Sequence, residues 1–256
     1  MCLALVALNM TPGIPLLMIG NRDEYHGRPT EAAHWWGESP NLFAGRDKEA
    51  RGTWFGISKT GQFGLVTNFR EHPPEGNFES RGQLLSRFLT GNERAARYVE
   101  SVSAGDEEFA GFNLISGTIG ESCLYASNRA TPFSRELASG IYAVSNALLD
   151  TPWPKLVRVR DAIDDWFRAG TGEIEDLFQP LMDREVSESP DTEFDFLDPR
   201  TLQALTAPFI VGDAYGTRST TIAIVRADRN ADVIERRFGP DGKSIGETRE
   251  SFEILT

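Results

Sequence analysis

The second residue of the chain, Cys2, has the clearest capacity for chemistry. Removal of Met1 would leave a cysteine that bears both a thiol and a free α-amine. An α-amine has an ordinary pKa of about 7.7–8.0, so it can act as a base near neutral pH. One residue then supplies nucleophile and base, and catalysis of this kind needs no histidine. The position also fits a small buried residue at the start of a strand, because free cysteine is often buried.

The segments that follow Cys2 predict a hairpin that returns a polar motif to the chain start. Residues 2–8 are a continuous apolar run, which is typical of a strand buried on both faces. A turn at residues 11–13 leads to a second apolar run at residues 16–19. The polar sequence Asn-Arg-Asp-Glu at residues 21–24 follows directly and is therefore expected near Cys2.

Patterns along the rest of the chain predict one α+β domain over residues 1–256. Helical periodicity is strong at residues 80–90 and 154–167, between blocks of strand-forming residues. Helices grouped in this way are typical of helices packed on antiparallel sheets. Residues 183–198 are acidic and lack helical periodicity, which predicts a surface loop.

Composition excludes several classes of partner. Lys and Arg total 26 against 38 for Asp and Glu, and a net charge of −12 disfavours nucleic acid and anionic membrane surfaces. The apolar N-terminal stretch has no basic segment before it and is interrupted too early for a signal peptide or a membrane span, so no integral membrane association is expected. With only two cysteines, no disulfide framework is expected, and a cytoplasmic protein is predicted.

Three further sets of side chains are candidates for ligand binding. Arginines near polar motifs could line a site that accepts an anion, or could lie on the surface: Arg22, Arg46, Arg51, Arg70, Arg81 and Arg218. Tryptophans could line a flat apolar ligand site or belong to the core: Trp35, Trp36, Trp54 and Trp153. The histidines lack metal-ligand spacing, so no metal site is predicted: His26, His34 and His72.

Motifs in order along almost the whole chain resemble the NRDE family, also called the transport and Golgi organization protein 2 family. Individually most are weak, but together they are specific. Those in the first part are Met-Cys at the start, Asn-Arg-Asp-Glu at 21–24, Ala-Gly-Arg-Asp at 44–47, Gly-Thr-Trp-Phe-Gly at 52–56, Thr-Asn-Phe-Arg at 67–70 and Ser-Arg-Gly at 80–82. Those in the second part are Gly-Phe-Asn-Leu at 111–114, Ser-Asn at 145–146, Pro-Trp-Pro-Lys at 152–155 and Tyr-Gly-Thr-Arg-Ser-Thr-Thr at 215–221.

This family is in turn similar to the cysteine N-terminal-nucleophile (Ntn) hydrolases, such as penicillin V acylases and bile salt hydrolases. The resemblance implies a four-layer αββα sandwich of two antiparallel sheets covered by helices. It also implies catalytic residues beside Cys2, with these roles: Arg22 lowering the thiol pKa, Asp23 holding the α-amine, Asn68 and Asn146 donating to an oxyanion, and Arg218 organising the pocket. Predicted substrate contacts are Glu24, Arg70 and Trp54.

The adjacency of Arg22 and Asp23 departs from the hydrolases, which usually space the arginine and the carboxylate apart. Neighbouring strand residues point to opposite faces, so Glu24 is the alternative carboxylate on the face of Arg22. Structural roles also remain open for these positions. The Arg22–Asp23 pair could be a structural ion pair, the asparagines could end strands, and Arg218 could lie on an exposed strand face.

Two functions compete. In the first, Cys2 attacks the C–N bond of a small-molecule amide and forms a thioester that water resolves, with no cofactor. In the second, implied by the resemblance, the same fold binds or transports haem, lipid or acyl-CoA, with Cys2 or a histidine as a haem ligand. A small-molecule ligand is expected in both cases, and neither fixes an oligomeric state.

Overall fold

The computed structural model describes residues 3–72, 76–105, 108–170, 172–187 and 198–255. Cys2 and residues 188–197 of the predicted acidic loop lie outside the described residues. The strands are β1 (Leu3–Thr11), β2 (Ile14–Tyr25), β3 (Thr30–Trp36), β4 (Ser39–Asp47), β5 (Phe55–Ser58), β6 (Gln62–Asn68), β7 (Phe112–Thr118), β8 (Cys123–Ser127), β9 (Ser134–Leu137), β10 (Gly140–Val144), β11 (Tyr215–Val225), β12 (Asn230–Phe238) and β13 (Ser244–Glu253). The helices are α1 (Arg81–Thr90), α2 (Ala95–Ala104), α3 (Pro154–Arg168), a 3-10 turn (Ile174–Leu177), α4 (Phe178–Leu181) and α5 (Pro199–Ala204). None of the helices within the described ranges is long and apolar enough to cross a membrane.

The strands form two antiparallel sheets. Sheet A has six strands in the order β10-β1-β2-β11-β12-β13, and sheet B has seven in the order β3-β4-β5-β6-β7-β8-β9. The chain leaves sheet A after β2, builds all of sheet B, and returns through β10, which pairs with β1. Strands on both sides and layers on both faces enclose β1, which explains why residues 3–8 are all buried and all apolar.

Three apolar clusters show that the molecule has four layers. Between the sheets, even-numbered residues of β1 such as Ala4 and Val6 share a cluster with Ile57 and Leu65 of sheet B. Odd-numbered residues of β1 face the other way and pack against α3 and α4. The helices α1 and α2 cover the outer face of sheet B. The predicted αββα order is therefore confirmed.

The two neighbours of β2 set the position of the polar motif at its end. Strand β2 pairs with β1 on one side and with β11 on the other. Along β11, Thr217 is opposite Asp23 and Ser219 is opposite Arg22, so Arg218 has no partner in the register. Such a β-bulge changes the direction of the inserted side chain. Arg218 is thereby directed to the side of sheet A on which Arg22 lies, where both donate to Thr30.

Candidate functional site

A cleft with a volume of about 570 Å³ lies where the end of β2 and the start of β11 approach sheet B and the residues before α1. Five predicted site residues line it, namely Arg22, Asp23, Glu24, Trp54 and Asn68. The other described residues of the lining are Tyr25, Arg28, Asp47, Ala50, Gly52, Thr53, Val66, Thr67, Phe78, Glu79, Ser80, Arg81, Gly82, Ala110 and Tyr215. Three predicted site residues are not part of the described lining: Arg70, Asn146 and Arg218.

Arg22 is buried in the wall of the cleft with its charge compensated. Its guanidinium lies 4.3 Å from the ring centroid of Trp54, and its Nη2 donates to Asp47 Oδ2 at 3.1 Å. A Glu24 oxygen lies 3.7 Å from the same nitrogen. Burial lowers the pKa of Arg22, while the charges of Glu24 and Asp47 act in the opposite direction. Because two carboxylates surround it, Arg22 has less capacity to lower the pKa of a thiol than the resemblance implies.

Asp47, at the end of β4, holds two arginines of the cleft in place. Arg28 Nε donates to its Oδ2 at 2.5 Å, beside the bond from Arg22. The backbone N–H groups of Glu49 and Ala50 donate to Oδ1 at 3.0 and 2.9 Å. Burial alone would raise the pKa of Asp47, but the hydrogen bonds from Arg28 and Ala50 and the two arginine charges together lower it. Sequence reasoning missed this residue, although it ends one of the quoted motifs.

The carboxylates of Asp23 and Glu24 point to opposite faces of sheet A, as strand geometry requires. Glu24 shares the face of Arg22. Asp23 Oδ1 accepts a hydrogen bond from Thr217 Oγ1 at 2.6 Å, and the same hydroxyl accepts from Ile210 N at 2.9 Å. Both residues line the cleft, although their side chains lie on opposite faces of the strand.

Asn21, the first residue of the polar motif, is a buried structural residue. Its Nδ2 donates to the carbonyl oxygens of Leu181 and Pro208 at 2.7 and 2.8 Å. Its Oδ1 accepts from Thr220 Oγ1 at 2.6 Å. These bonds join the end of β2 to two segments distant in sequence, and they leave Asn21 no role in the cleft.

A chain of hydrogen bonds orients Asn68. Arg70 Nη2 donates to Asn146 Oδ1 at 3.1 Å, and Asn146 Nδ2 donates to Asn68 Oδ1 at 2.8 Å. Because a guanidinium has only donors, it fixes the orientation of the Asn146 amide, and Asn146 in turn fixes that of Asn68. Asn68 Nδ2 then has no acceptor among the described residues. Both asparagines are predicted to donate to an oxyanion; in the structure, Asn146 donates to Asn68, and Arg70 orients Asn146.

A buried network holds this chain of bonds against sheet B. Thr67 Oγ1 donates to Ser145 O at 2.8 Å, and Asn113 Nδ2 donates to Thr67 Oγ1 and Ala147 O at 3.1 and 3.0 Å. The end of β6 is thereby tied to the segment that follows β10. Asn68 and Asn146 meet for that reason, although Asn68 ends a strand of sheet B and Asn146 follows a strand of sheet A.

Arg218 supports the turn between β2 and β3. Its Nη1 donates to Tyr25 O, Arg28 O and Thr30 Oγ1 at 3.3, 2.5 and 3.1 Å. Arg22 Nη1 donates to the same Thr30 hydroxyl at 3.2 Å. Burial lowers the pKa of Arg218, while the charges of nearby carboxylates act in the opposite direction.

Aromatic rings border the polar part of the cleft. Tyr25 and Tyr215 are in edge-to-face contact, with ring centroids 5.3 Å apart, and Tyr25 is 63% exposed. Phe78 also lines the cleft. Sequence reasoning missed these rings, because an isolated tyrosine after a polar motif has no distinctive spacing. Within the described ranges, no group of three or more His, Cys, Asp or Glu residues is placed to hold a metal ion.

Comparison with known sequences decides the family. Residues 1–240 match the family model described as Transport and Golgi organisation 2. The chain belongs to this family. It is 32% identical over 249 residues to the Transport and Golgi organization 2 homolog of Mus musculus, covering 91% of this chain and 90% of that protein. The Homo sapiens homolog is 31% identical with the same coverage.

Comparison with solved structures identifies the type of fold. The structure is similar to a variant of the conjugated bile acid hydrolase from Clostridium perfringens, with a TM-score of 0.52 over 99% of this chain and 92% of that chain. The two are 8% identical, so the likeness concerns the fold alone. This member of the Transport and Golgi organisation 2 family therefore has an Ntn-hydrolase-like fold.

Proposed function

We propose that the cleft is the site of an Ntn hydrolase that uses Cys2 to cleave the non-peptide amide bond of a small molecule. The observation that carries the proposal is the side-chain amide of Asn68, which lines the cleft. Its Nδ2 donates to no described residue, and Asn146 fixes its orientation. Asn68 shares this cleft with the polar motif of β2, the strand that pairs with β1. Cys2 immediately precedes β1 in the sequence, which supports the proposal that the nucleophile acts at this cleft.

The proposal sets the thiol of Cys2 on the side of sheet A that faces sheet B. Ala4 and Val6, the next even-numbered residues of β1, point to that side. Arg22 and Trp54 lie on the same side and line the cleft. The opposite face of sheet A carries Asp23, which is placed to hold the α-amine from the other wall.

The reaction follows the chemistry of an N-terminal cysteine. The α-amine takes the thiol proton, and the thiolate forms a C–S bond to the amide carbonyl. Asn68 Nδ2 donates to the oxyanion that develops on the carbonyl oxygen. The C–N bond then breaks, the amine leaves with the proton, and water hydrolyses the thioester to a carboxylic acid. Arg22 acts in this scheme as a fixed donor rather than as an unpaired positive charge.

The name of the solved structure to which this chain is similar supports the proposed amide hydrolysis. That protein is a conjugated bile acid hydrolase, and the structure compared is a variant with alanine in place of a cysteine at its second position. For the present chain, the net charge of −12 favours a small-molecule substrate over nucleic acid. We propose a cytoplasmic location on the cysteine content.

Mass spectrometry of the intact protein tests the proposal before any substrate is known. We expect a mass that lacks one methionine, and fast single labelling by limiting iodoacetamide that Cys2→Ala abolishes. Cys123 does not interfere, because burial raises the pKa of its thiol to about 12. In a screen of small amides, Cys2→Ala should lower turnover by at least about a thousandfold and Asn68→Ala by about a hundredfold. Retained Met1 with slow labelling would contradict the proposal.

The competing haem function has weaker support from the cleft. Its described lining contains no histidine, so a histidine ligand would have to come from elsewhere. His34 Nδ1 contacts Ala32 O at 2.8 Å, and the His26 ring lies against Gly216. A haem titration with a saturable Soret shift and defined stoichiometry would favour this alternative over hydrolysis.

A further inference from the structure

We propose that Arg218 forms an anion-binding subsite beside the cleft that takes a carboxylate or phosphate group of the ligand. To the extent that this ligand is the amide substrate, the inference rests on the function proposed above. It goes beyond that function because it names a chemical feature of the substrate and the residue that recognises it.

Among the described residues, Arg218 is bonded only to uncharged groups. No carboxylate of the described residues forms an ion pair with it, and all three of its hydrogen bonds go to uncharged oxygen atoms. The acidic residues whose charges reach it are Glu24 and Asp47. Asp47 is bonded to Arg22 and Arg28, and Glu24 lies between the same two arginines. A third carboxylate, Glu49, pairs with Arg28 at 2.8 Å, so the carboxylates of the cluster are directed at Arg22 and Arg28, and Arg218 is the arginine of the cluster that forms no ion pair with a described residue.

The guanidinium groups of Arg22 and Arg218 lie close to each other. Arg22 and Arg218 donate to one hydroxyl oxygen, that of Thr30, at 3.2 and 3.1 Å. Two cations separated by a single oxygen atom repel each other unless an anion compensates them. Asp47 forms an ion pair with Arg22, whereas no described carboxylate forms one with Arg218, which has only the longer-range charges of Glu24 and Asp47 to offset the repulsion. A bound anion would remove this repulsion.

Hydrogen bonds hold the guanidinium of Arg218 in one orientation. Three acceptors engage Nη1 and fix the plane of the group, while Nε and Nη2 donate to no described residue. A guanidinium edge with two parallel N–H groups matches the two oxygens of a carboxylate or phosphate. The β-bulge that inserts Arg218 is a device that often directs a side chain at a functional site.

The position of the subsite limits the substrate. Arg218 lies on β11, which is separated from β1 by β2, and two strand spacings amount to about 10 Å. A substrate that reaches both Cys2 and Arg218 must therefore carry its acidic group several bonds from the scissile amide. Such binding has to be local, because a net charge of −12 repels anions from the molecule as a whole.

Two measurements on three proteins test the inference. The proteins are wild type, Arg218→Gln, and the control Arg97→Gln, which removes the same charge from an exposed position on α2. The first measurement compares labelling of Cys2 by 6-maleimidohexanoic acid with labelling by its uncharged methyl ester. The second measures the shift in Tm caused by inorganic phosphate and, separately, by glutarate at constant ionic strength, which distinguishes phosphate from carboxylate recognition.

We expect the acid-to-ester rate ratio to be at least about threefold higher in wild type and Arg97→Gln than in Arg218→Gln. If both reagents label Cys2 quickly and the acid-to-ester rate ratio is the same in all three proteins, the subsite is overturned and the hydrolase proposal stands. If neither reagent labels Cys2 faster than a cysteine peptide, the hydrolase proposal fails. In that case the Tm shifts alone test the subsite. Stabilisation by phosphate or glutarate that is lost only in Arg218→Gln supports the subsite. Equal shifts in all three proteins overturn it. Should Arg218→Gln not fold, Arg218→Lys replaces it, since lysine keeps the charge and loses the paired N–H edge.

Discussion

At the residue scale, the electrostatics of the cleft depend on Asp47. It accepts hydrogen bonds from Arg22 and Arg28, and its own turn supplies two backbone donors. Arg22 is consequently a fixed, compensated cation stacked on Trp54. In the proposed reaction, Cys2 would therefore be activated mainly by its own α-amine rather than by the field of an unpaired arginine.

A second buried carboxyl, Glu235, lies behind Trp54 and is unlike Asp47. It is 2% exposed, accepts from Ala33 N at 2.9 Å, and has Arg237 Nη1 at 3.4 Å. Burial raises the pKa of Glu235, although the Ala33 N–H and the charges of Arg237 and Arg22 oppose the rise. Folding therefore shifts the equilibrium of Glu235 toward the neutral acid relative to the unfolded chain.

This environment predicts the effect of pH on Glu235→Gln. A carboxyl with a raised pKa contributes its full stability below its ordinary pKa, and that contribution is lost as pH rises through the folded value. Glutamine keeps an acceptor for Ala33 N and cannot ionise. We expect the variant to lose less stability than wild type between pH 4.5 and neutrality, measured by urea unfolding across that range. The exposed control Glu100→Gln on α2 should follow wild type; an unchanged profile for Glu235→Gln would show that Glu235 ionises normally.

At the element scale, a glycine contact places the start of α1 at the cleft. A Cβ atom on Gly52 would lie 2.2 Å from Gly82 C and 2.6 Å from Gln83 N, both of which are backbone atoms. Thr53 N donates to Gly82 O at 3.2 Å across the same contact. The loop before β5 and the first turn of α1 can approach this closely only without a side chain at residue 52.

We expect Gly52→Ala to lower the free energy of unfolding by about 2 kcal/mol or more, because neither backbone segment can move without breaking the contact. Urea denaturation measures the effect. Gly37→Ala is the matched control, since a Cβ there meets nothing within 4 Å, and its effect should stay within about 0.5 kcal/mol. Equal effects of the two substitutions would mean that the approach of α1 is not under steric control.

At the scale of the whole molecule, the two sheets share one apolar core. The cluster between them contains residues of β1, β2 and β11 from sheet A and of β4 to β8 from sheet B. Each sheet also has its own helical cover. Because burial of the inner faces requires both sheets, they should unfold together.

Leu65→Ala tests this cooperativity from one side of the core. Leu65 is fully buried in sheet B, and its truncation should cost about 2–5 kcal/mol. Hydrogen exchange should show the same loss of protection in β1 and β2 of sheet A as in β5 and β6. Retained protection in sheet A would instead divide the chain into two folding units and contradict the predicted single domain.

Much of this architecture was already present in the sequence because it depends on local patterns. The apolar run at residues 3–8 predicted a strand covered on both faces, and the spacing of Leu84, Leu85 and Phe88 predicted the buried face of α1. Strand alternation alone placed Glu24, and not Asp23, on the face of Arg22. The motifs spread along the chain predicted the family and through it the four layers.

The partners within the cleft were decided only by the tertiary structure. The Asp47–Arg22 bond joins two sheets, and the Arg70–Asn146–Asn68 chain of bonds depends on two segments far apart in sequence. The direction of the Arg218 side chain depends on a β-bulge that shifts the register of β11 by one residue. Periodicity predicts which face a side chain occupies, but register and contact between distant strands determine which atom it meets, since these depend on the packing of the whole chain.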